Sequence, residues 1–173
     1  MQKKAVLLIM ALCFGVLGCA KEDAEVPWAA QVPQTEVIEE NEQKEIPGYD
    51  MSKMEAYLGS VEESAAEISH FLEHDAMTQD DMNGKSQELY RVWDDALNVL
   101  WGELKQNMQE EEFAELLEEQ RTWIAEKESA VENAGKEYEG GSIQPLIVNS
   151  EAAKITEERV RELFALLKEV TTP

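Results

Sequence analysis

Between Ser52 and Val170 apolar residues recur at intervals of three and four, and this period constrains the fold more than any other feature. Met54, Tyr57, Leu58, Val61, Ala65, Ile68, Phe71 and Leu72 form one stripe, predicting a helix over 52–74. Leu89, Trp93, Leu97, Leu100 and Leu104 form a second, predicting a helix over 78–108 that opens on the capping sequence Thr78-Gln79-Asp80-Asp81. A third helix is expected from Glu110-Glu111-Glu112, acidic as a helix N-terminus favours, through Phe113, Leu116, Leu117, Ile124 and Val131 to Tyr138. Gly140-Gly141 breaks the pattern. A fourth starts near Ser142, with Pro145 in its first turn, and carries Leu146, Ile147, Ile155, Val160, Leu163, Phe164, Leu167 and Val170. Good helix formers dominate throughout, and no stretch alternates as a strand would. Long amphipathic helices joined by short loops predict an all-α fold, an antiparallel bundle of about four helices over 51–173.

The chain before this bundle reads differently. Lys3 and Lys4 precede an apolar run from Ala5 to Val16, about a dozen residues and too short for a comfortable membrane span. The run leads into Val16-Leu17-Gly18-Cys19, which resembles a bacterial lipobox. That resemblance implies cleavage before Cys19 and lipidation of its thiol, with 1–18 a signal peptide. An ordinary signal peptide that contains a cysteine is the alternative. Residues 19–50 are rich in Glu and Gln, hold Pro27, Pro33 and Pro47, and show no sustained period. They are expected to form a flexible acidic tether. Lipid and tether together would hold the bundle at the membrane on the extracytoplasmic side.

Charge limits the partners. The chain has 37 acidic and 15 basic residues, a net charge of −22. Loss of Lys3 and Lys4 with the leader leaves 13 basic against 37 acidic, or −24. Such a surface opposes nucleic acid, whose phosphates need Lys and Arg, and opposes anionic lipid heads. It favours a basic partner or serves solubility alone. With Cys13 in the leader and Cys19 lipidated, the bundle has no cysteine for a disulfide or thiolate metal site.

Little in the sequence points to catalysis. His70-Phe71-Leu72-Glu73-His74 matches the H-x-x-E-H pattern, in which two imidazoles one helical turn apart share a zinc ion and the glutamate acts as base. No third ligand can be named, and both histidines fall where a helix C-terminus favours imidazolium. His70 and His74 are therefore read as structural, with a zinc hydrolase as the remote alternative. There is no G-x-S-x-G, no reactive thiol and no glycine-rich phosphate loop after a strand; no cofactor is expected. Gly140-Gly141-Ser142 fits a C-cap followed by an N-cap. Trp93 and Trp123 are assigned to the core, and Trp101 is placed at its edge.

Several ordered segments carry a resemblance. Thr78–Asn83, then Asp94, Leu97 and Asn98, then Gln120, Arg121 and Trp123, then Gly140-Gly141-Ser142 resemble the LprI-like family of lysozyme inhibitors, with Lys127 where arginine is usual. The resemblance spans about 78–167. It implies a small exported helical domain that binds lysozyme, or another basic protein, without catalysis. It marks Asp94, Asn98, Gln120, Arg121, Trp123, Gly140, Gly141 and Ser142 as motif or partner-binding candidates. Arg121 is expected to pair with acidic neighbours or to hold the 140–142 loop through its carbonyls. Family cysteines are replaced: Lys85 and Val131 stand at two such positions and Glu151 at another. The competing reading is an envelope interaction or scaffold lipoprotein without lysozyme activity.

Overall fold

A computed structural model describes residues 49–75 and 78–172. The signal peptide, Cys19 and all but the last two residues of the tether expected over 19–50 lie outside the described residues. The described part is all-α: α1 (Met51–His74), α2 (Gln79–Asn107), α3 (Glu110–Gly135), a 3-10 turn at Lys136–Tyr138, and α4 (Gln144–Thr171). Among the described residues no helix is long and apolar enough to cross a membrane.

The helix starts follow local chemistry. Asp50 caps α1 by accepting from the Ser52 N–H. Thr78 and Asp81 form a complete capping box at α2: Thr78 Oγ1 accepts from Asp81 N, and Asp81 Oδ2 accepts from Thr78 N. No side chain caps α3, but three glutamates stand in its first turn, where negative charge complements the helix dipole. The cap of α4 is Ile143 rather than Ser142, and it bonds through no side chain. Pro145 sits in the first turn of α4, where its missing N–H costs nothing.

Successive helices run antiparallel, yet the most extensive contact is between α2 and α4. Those two are parallel. Asn83 Nδ2 donates to the Ser142 carbonyl, Asn149 Nδ2 donates to Ser86 Oγ one turn on, and Arg161 lies over Trp93 farther along. Their buried faces carry small residues, Ser86 and Ala96 on α2 and Ala152, Ala153 and Thr156 on α4, which permit close axes. Beyond them Leu100, Leu104, Leu163 and Leu167 are fully buried, each contributing about 1.5–3 kcal/mol. The first helix covers this pair with Met54, Leu58, Val61 and Ala65, and α3 packs against α4 and inserts Leu116 into the same core.

The stripes of α1 and α2 are as expected, with Trp93 buried at 4 % exposure and Trp101 half-buried against Phe113, ring centroids 5.0 Å apart. The other two helices differ. On α3 the buried positions are Leu116, Gln120, Lys127 and Gly135, while Phe113, Leu117, Ile124 and Val131 are half-buried. On α4 Thr156 and Arg159 are buried, and Leu146 and Ile147 only half. Polar side chains occupy the centre of the α3 interface.

Candidate functional site

Polar residues of α2, α3 and α4, among them Tyr90, Gln120, Lys127 and Arg159, meet in one cluster. Gln120 lies one turn beyond Leu116 on the inward face of α3, so its amide is carried into the interface at 6 % exposure. Arg159 lies one turn from both Ile155 and Leu163 on α4, and is buried at 5 % exposure. The Arg159 Nε donates to Gln120 Oε1 at 2.9 Å. Its Nη1 donates to Glu119 Oε1 at 2.7 Å and to Glu162 Oε2 at 2.9 Å. Both carboxylates are largely exposed, so the guanidinium runs from a buried amide to the surface. Its Nη2, and the Thr156 hydroxyl one turn back, have no hydrogen-bond partner among the described residues.

Trp123 links this half to a second. The Arg159 guanidinium carbon is 5.9 Å from the Trp123 ring centroid, and Lys127 Nζ is 5.0 Å from it. One indole therefore serves two buried cations, and desolvated contacts of this kind contribute up to about 2 kcal/mol. Lys127 Nζ also lies 5.4 Å from the Tyr90 ring centroid and donates to the Tyr90 hydroxyl at 3.3 Å. Tyr90 in turn donates to Asp94 Oδ1 at 3.3 Å. Burial lowers the Lys127 pKa, against an opposing pull from the Asp94 charge. Burial, with Asp94 second, raises the Tyr90 pKa far above the ordinary phenol value. A buried ammonium needs partners of this kind to stay charged.

The sequence candidates thus divide. Asp94, Gln120 and Trp123 come together in this brace. Asn98 is exposed and reaches back one turn, its Nδ2 donating to the Asp94 carbonyl at 2.9 Å. Arg121 is exposed and pairs with Glu118, one turn back on its own helix. Its alternative role as the holder of the 140–142 loop is corrected: Asn83 donates to the Ser142 carbonyl at 2.9 Å. Nor do the loop residues cap α4. Gly140 adopts φ 74°, a left-handed turn that glycine takes without strain, and its N–H donates to Gln144 Oε1. The Gly141 N–H returns to the Tyr138 carbonyl at 2.9 Å.

His70 and His74 stack on the exposed last turn of α1, ring centroids 4.4 Å apart. His74 Nδ1 lies 3.0 Å from the His70 carbonyl oxygen, which can only accept. Glu73 Oε2 is 3.9 Å from that nitrogen. Among the described residues no group of three or more His, Cys, Asp or Glu is placed to hold a metal ion. Lys85 lies 5.3 Å over the Phe71 ring and pairs with Glu88.

Sequence reasoning missed Arg159 and Tyr90, and noted Lys127 only as a substitution. A signal for Arg159 was present, since a charged residue interrupts the apolar spacing from Ile155 to Leu163. What no local pattern carries is that Arg159 and Gln120, on different helices, satisfy each other.

The brace is a means of fixing α3 against α2 and α4. The exterior is different in kind. Lys53, Lys85, Arg121, Lys136, Arg161 and Lys168 each pair with a carboxylate. With 37 acidic residues against 15 basic, a large unneutralised negative charge remains.

Residues 73–163, more than half of the chain, match the family described as Lysozyme inhibitor LprI. An uncharacterised protein of Rhizobium meliloti (strain 1021) is 31% identical over 106 residues, covering 54% of this chain and 76% of the relative. No solved structure matches the chain. The matched segment runs from the end of α1 into α4 and contains the whole of the Asp94–Tyr90–Lys127–Trp123–Arg159–Gln120 brace. The chain belongs to the LprI family of lysozyme inhibitors.

Proposed function

We propose that the protein is a membrane-tethered, extracytoplasmic domain that binds a lysozyme and blocks it without catalysis. Residues 1–18 direct export, Cys19 carries lipid, 19–50 form the tether and 51–173 form the binding domain. The observation that carries this reading is the family match over 73–163, whose family consists of inhibitors. The charge agrees with it. Lysozymes are generally basic, and a chain of net charge −22 attracts one from about a Debye length away, roughly 8–10 Å at physiological salt. Because Gln120, Lys127 and Arg159 are buried, they position helices, and the partner meets the exposed acidic surface.

The test is titration of residues 19–173, unlipidated, into a lysozyme cell-wall lysis assay at low and high salt. Saturation near one-to-one that persists in part at high salt supports a specific inhibitor. Absence of inhibition, or its complete loss with salt, refutes the reading and leaves charge attraction only.

A further inference from the structure

The first helix leaves a groove between itself and α4. Two adjoining cavities, of about 410 and 290 Å³, open along it, and Glu62, Trp93 and Arg161 line both. Arg161 is the strap that divides them. Its Nη1 donates to Glu62 Oε1 on α1 at 3.0 Å, and its Nη2 to Glu157 Oε1 on α4 at 2.8 Å. Its guanidinium carbon is 6.0 Å from the centroid of Trp93, which lines the floor. The pattern recurs about two turns along: Lys168 Nζ bridges to Glu55 Oε1 at 3.0 Å and lies 4.4 Å over the Phe164 ring. Glu55 and Phe164 line the smaller cavity. Twice along one groove, then, a cation rests on an aromatic face and reaches a carboxylate of α1.

We propose that this groove is a guanidinium site: an arginine side chain of a basic protein displaces Arg161 and takes its place between Glu62, Glu157 and Trp93. The ligand class is read from the occupant already there. A planar guanidinium can bond two carboxylates in its own plane while its face rests on an indole, a combination that a compact ammonium meets less well. Arg161 and Glu62 are more than half exposed, so the strap is weakly held and exchangeable. The net charge of −22 selects a basic partner. Residues 51–72, which supply the α1 wall, precede the family-matched segment, so this site is an addition to the shared domain. The inference rests on the reading that the domain binds a basic protein.

The test is calorimetric titration of residues 19–173 with hexa-arginine and, separately, hexa-lysine. Hexa-arginine is expected to bind more tightly. The R161A variant empties the site and should bind hexa-arginine about two- to fivefold more tightly than K136A, which removes the same charge elsewhere. The E62Q/E157Q double variant should bind it about fivefold or more weakly than wild type. These side chains are exposed or half-buried, and circular dichroism checks that each variant folds. Equal binding of the two peptides, or equal effects of R161A and K136A, overturns the proposal. The same variants in the lysis assay separate the two readings. A wild type that fails to inhibit lysozyme defeats the proposed function while the peptide data still judge the groove. Inhibition unchanged in E62Q/E157Q defeats the groove.

Discussion

The Arg159–Gln120 contact is the most demanding test of the brace, because each partner is buried and each is the other's remedy. In Arg159→Met the aliphatic volume is largely kept, so the cavity is small. Glu119 and Glu162 are largely exposed, so losing the ion pair to each costs about 0–1 kcal/mol. The Trp123 contact adds about 0.5–2 kcal/mol. Gln120 Oε1 loses its 2.9 Å donor inside the protein, which costs about 1–3 kcal/mol. Against these stands relief from burying a guanidinium whose Nη2 has no partner among the described residues, again about 1–3 kcal/mol. The net expected loss is about 1–3 kcal/mol. Gln120→Leu alone removes a neutral acceptor from a charged donor and should cost about 1.5–3 kcal/mol. The double variant removes both polar groups, so neither is stranded, and should be more stable than the sum of the single losses implies. A coupling of about 1.5 kcal/mol or more is expected. Urea denaturation followed by circular dichroism measures all four proteins. Losses that add to within about 0.5 kcal/mol would show that the two residues do not depend on each other, and the account of the brace would fail.

Four further outcomes follow from other parts of the structure. A Cβ at Gly135 would lie 2.7 Å from Val148 Cγ1, so Gly135→Ala should lose about 1–3 kcal/mol despite its better helix propensity, with Val148→Ala restoring part of it by the same denaturation. Gly59 has nothing within 4 Å of such an atom, and Gly59→Ala should instead gain about 0.5–1 kcal/mol. Removing the α2 capping box with Thr78→Ala should cost about 1 kcal/mol, and no change in midpoint would show that the cap is idle. The Tyr90 phenol is held neutral by burial well past the ordinary value of about 10, so it contributes stability below that pH that is lost as pH rises above it. Tyr49, pushed up to about 12 chiefly by burial and by its bond to Glu103, acts in the same direction. Lys127, whose pKa is lowered, gains stability with rising pH up to its ordinary value and offsets part of the loss. Between about pH 10 and 11 the melting temperature should therefore fall, and fall less in Tyr90→Phe. Equal slopes would remove Tyr90 from the account.

The helices, their limits to within a few residues and the acidic exterior are all legible in the sequence. The period of Met54, Leu58, Val61 and Ala65, the box at Thr78 and the break at Gly140 are local signals, and a helix reports its apolar face and its ends within a few residues. The ordered motifs through Asp94, Gln120 and Trp123 also pointed to the family, although not to what those residues do. That α2 and α4 form the central parallel pair emerges from packing alone, because the choice of neighbours depends on which faces fit and not on any one stripe. Packing placed Arg121 outside and Arg159 inside, although both are arginines on amphipathic helices, since burial of a guanidinium depends on what the opposing helix offers. It set Arg161 over Trp93 between Glu62 and Glu157, joining three helices whose sequences are far apart, and made a groove of them. Contacts across helices carry little local signature, so a stretch of sequence can state its own conformation but not the partner that satisfies its polar groups.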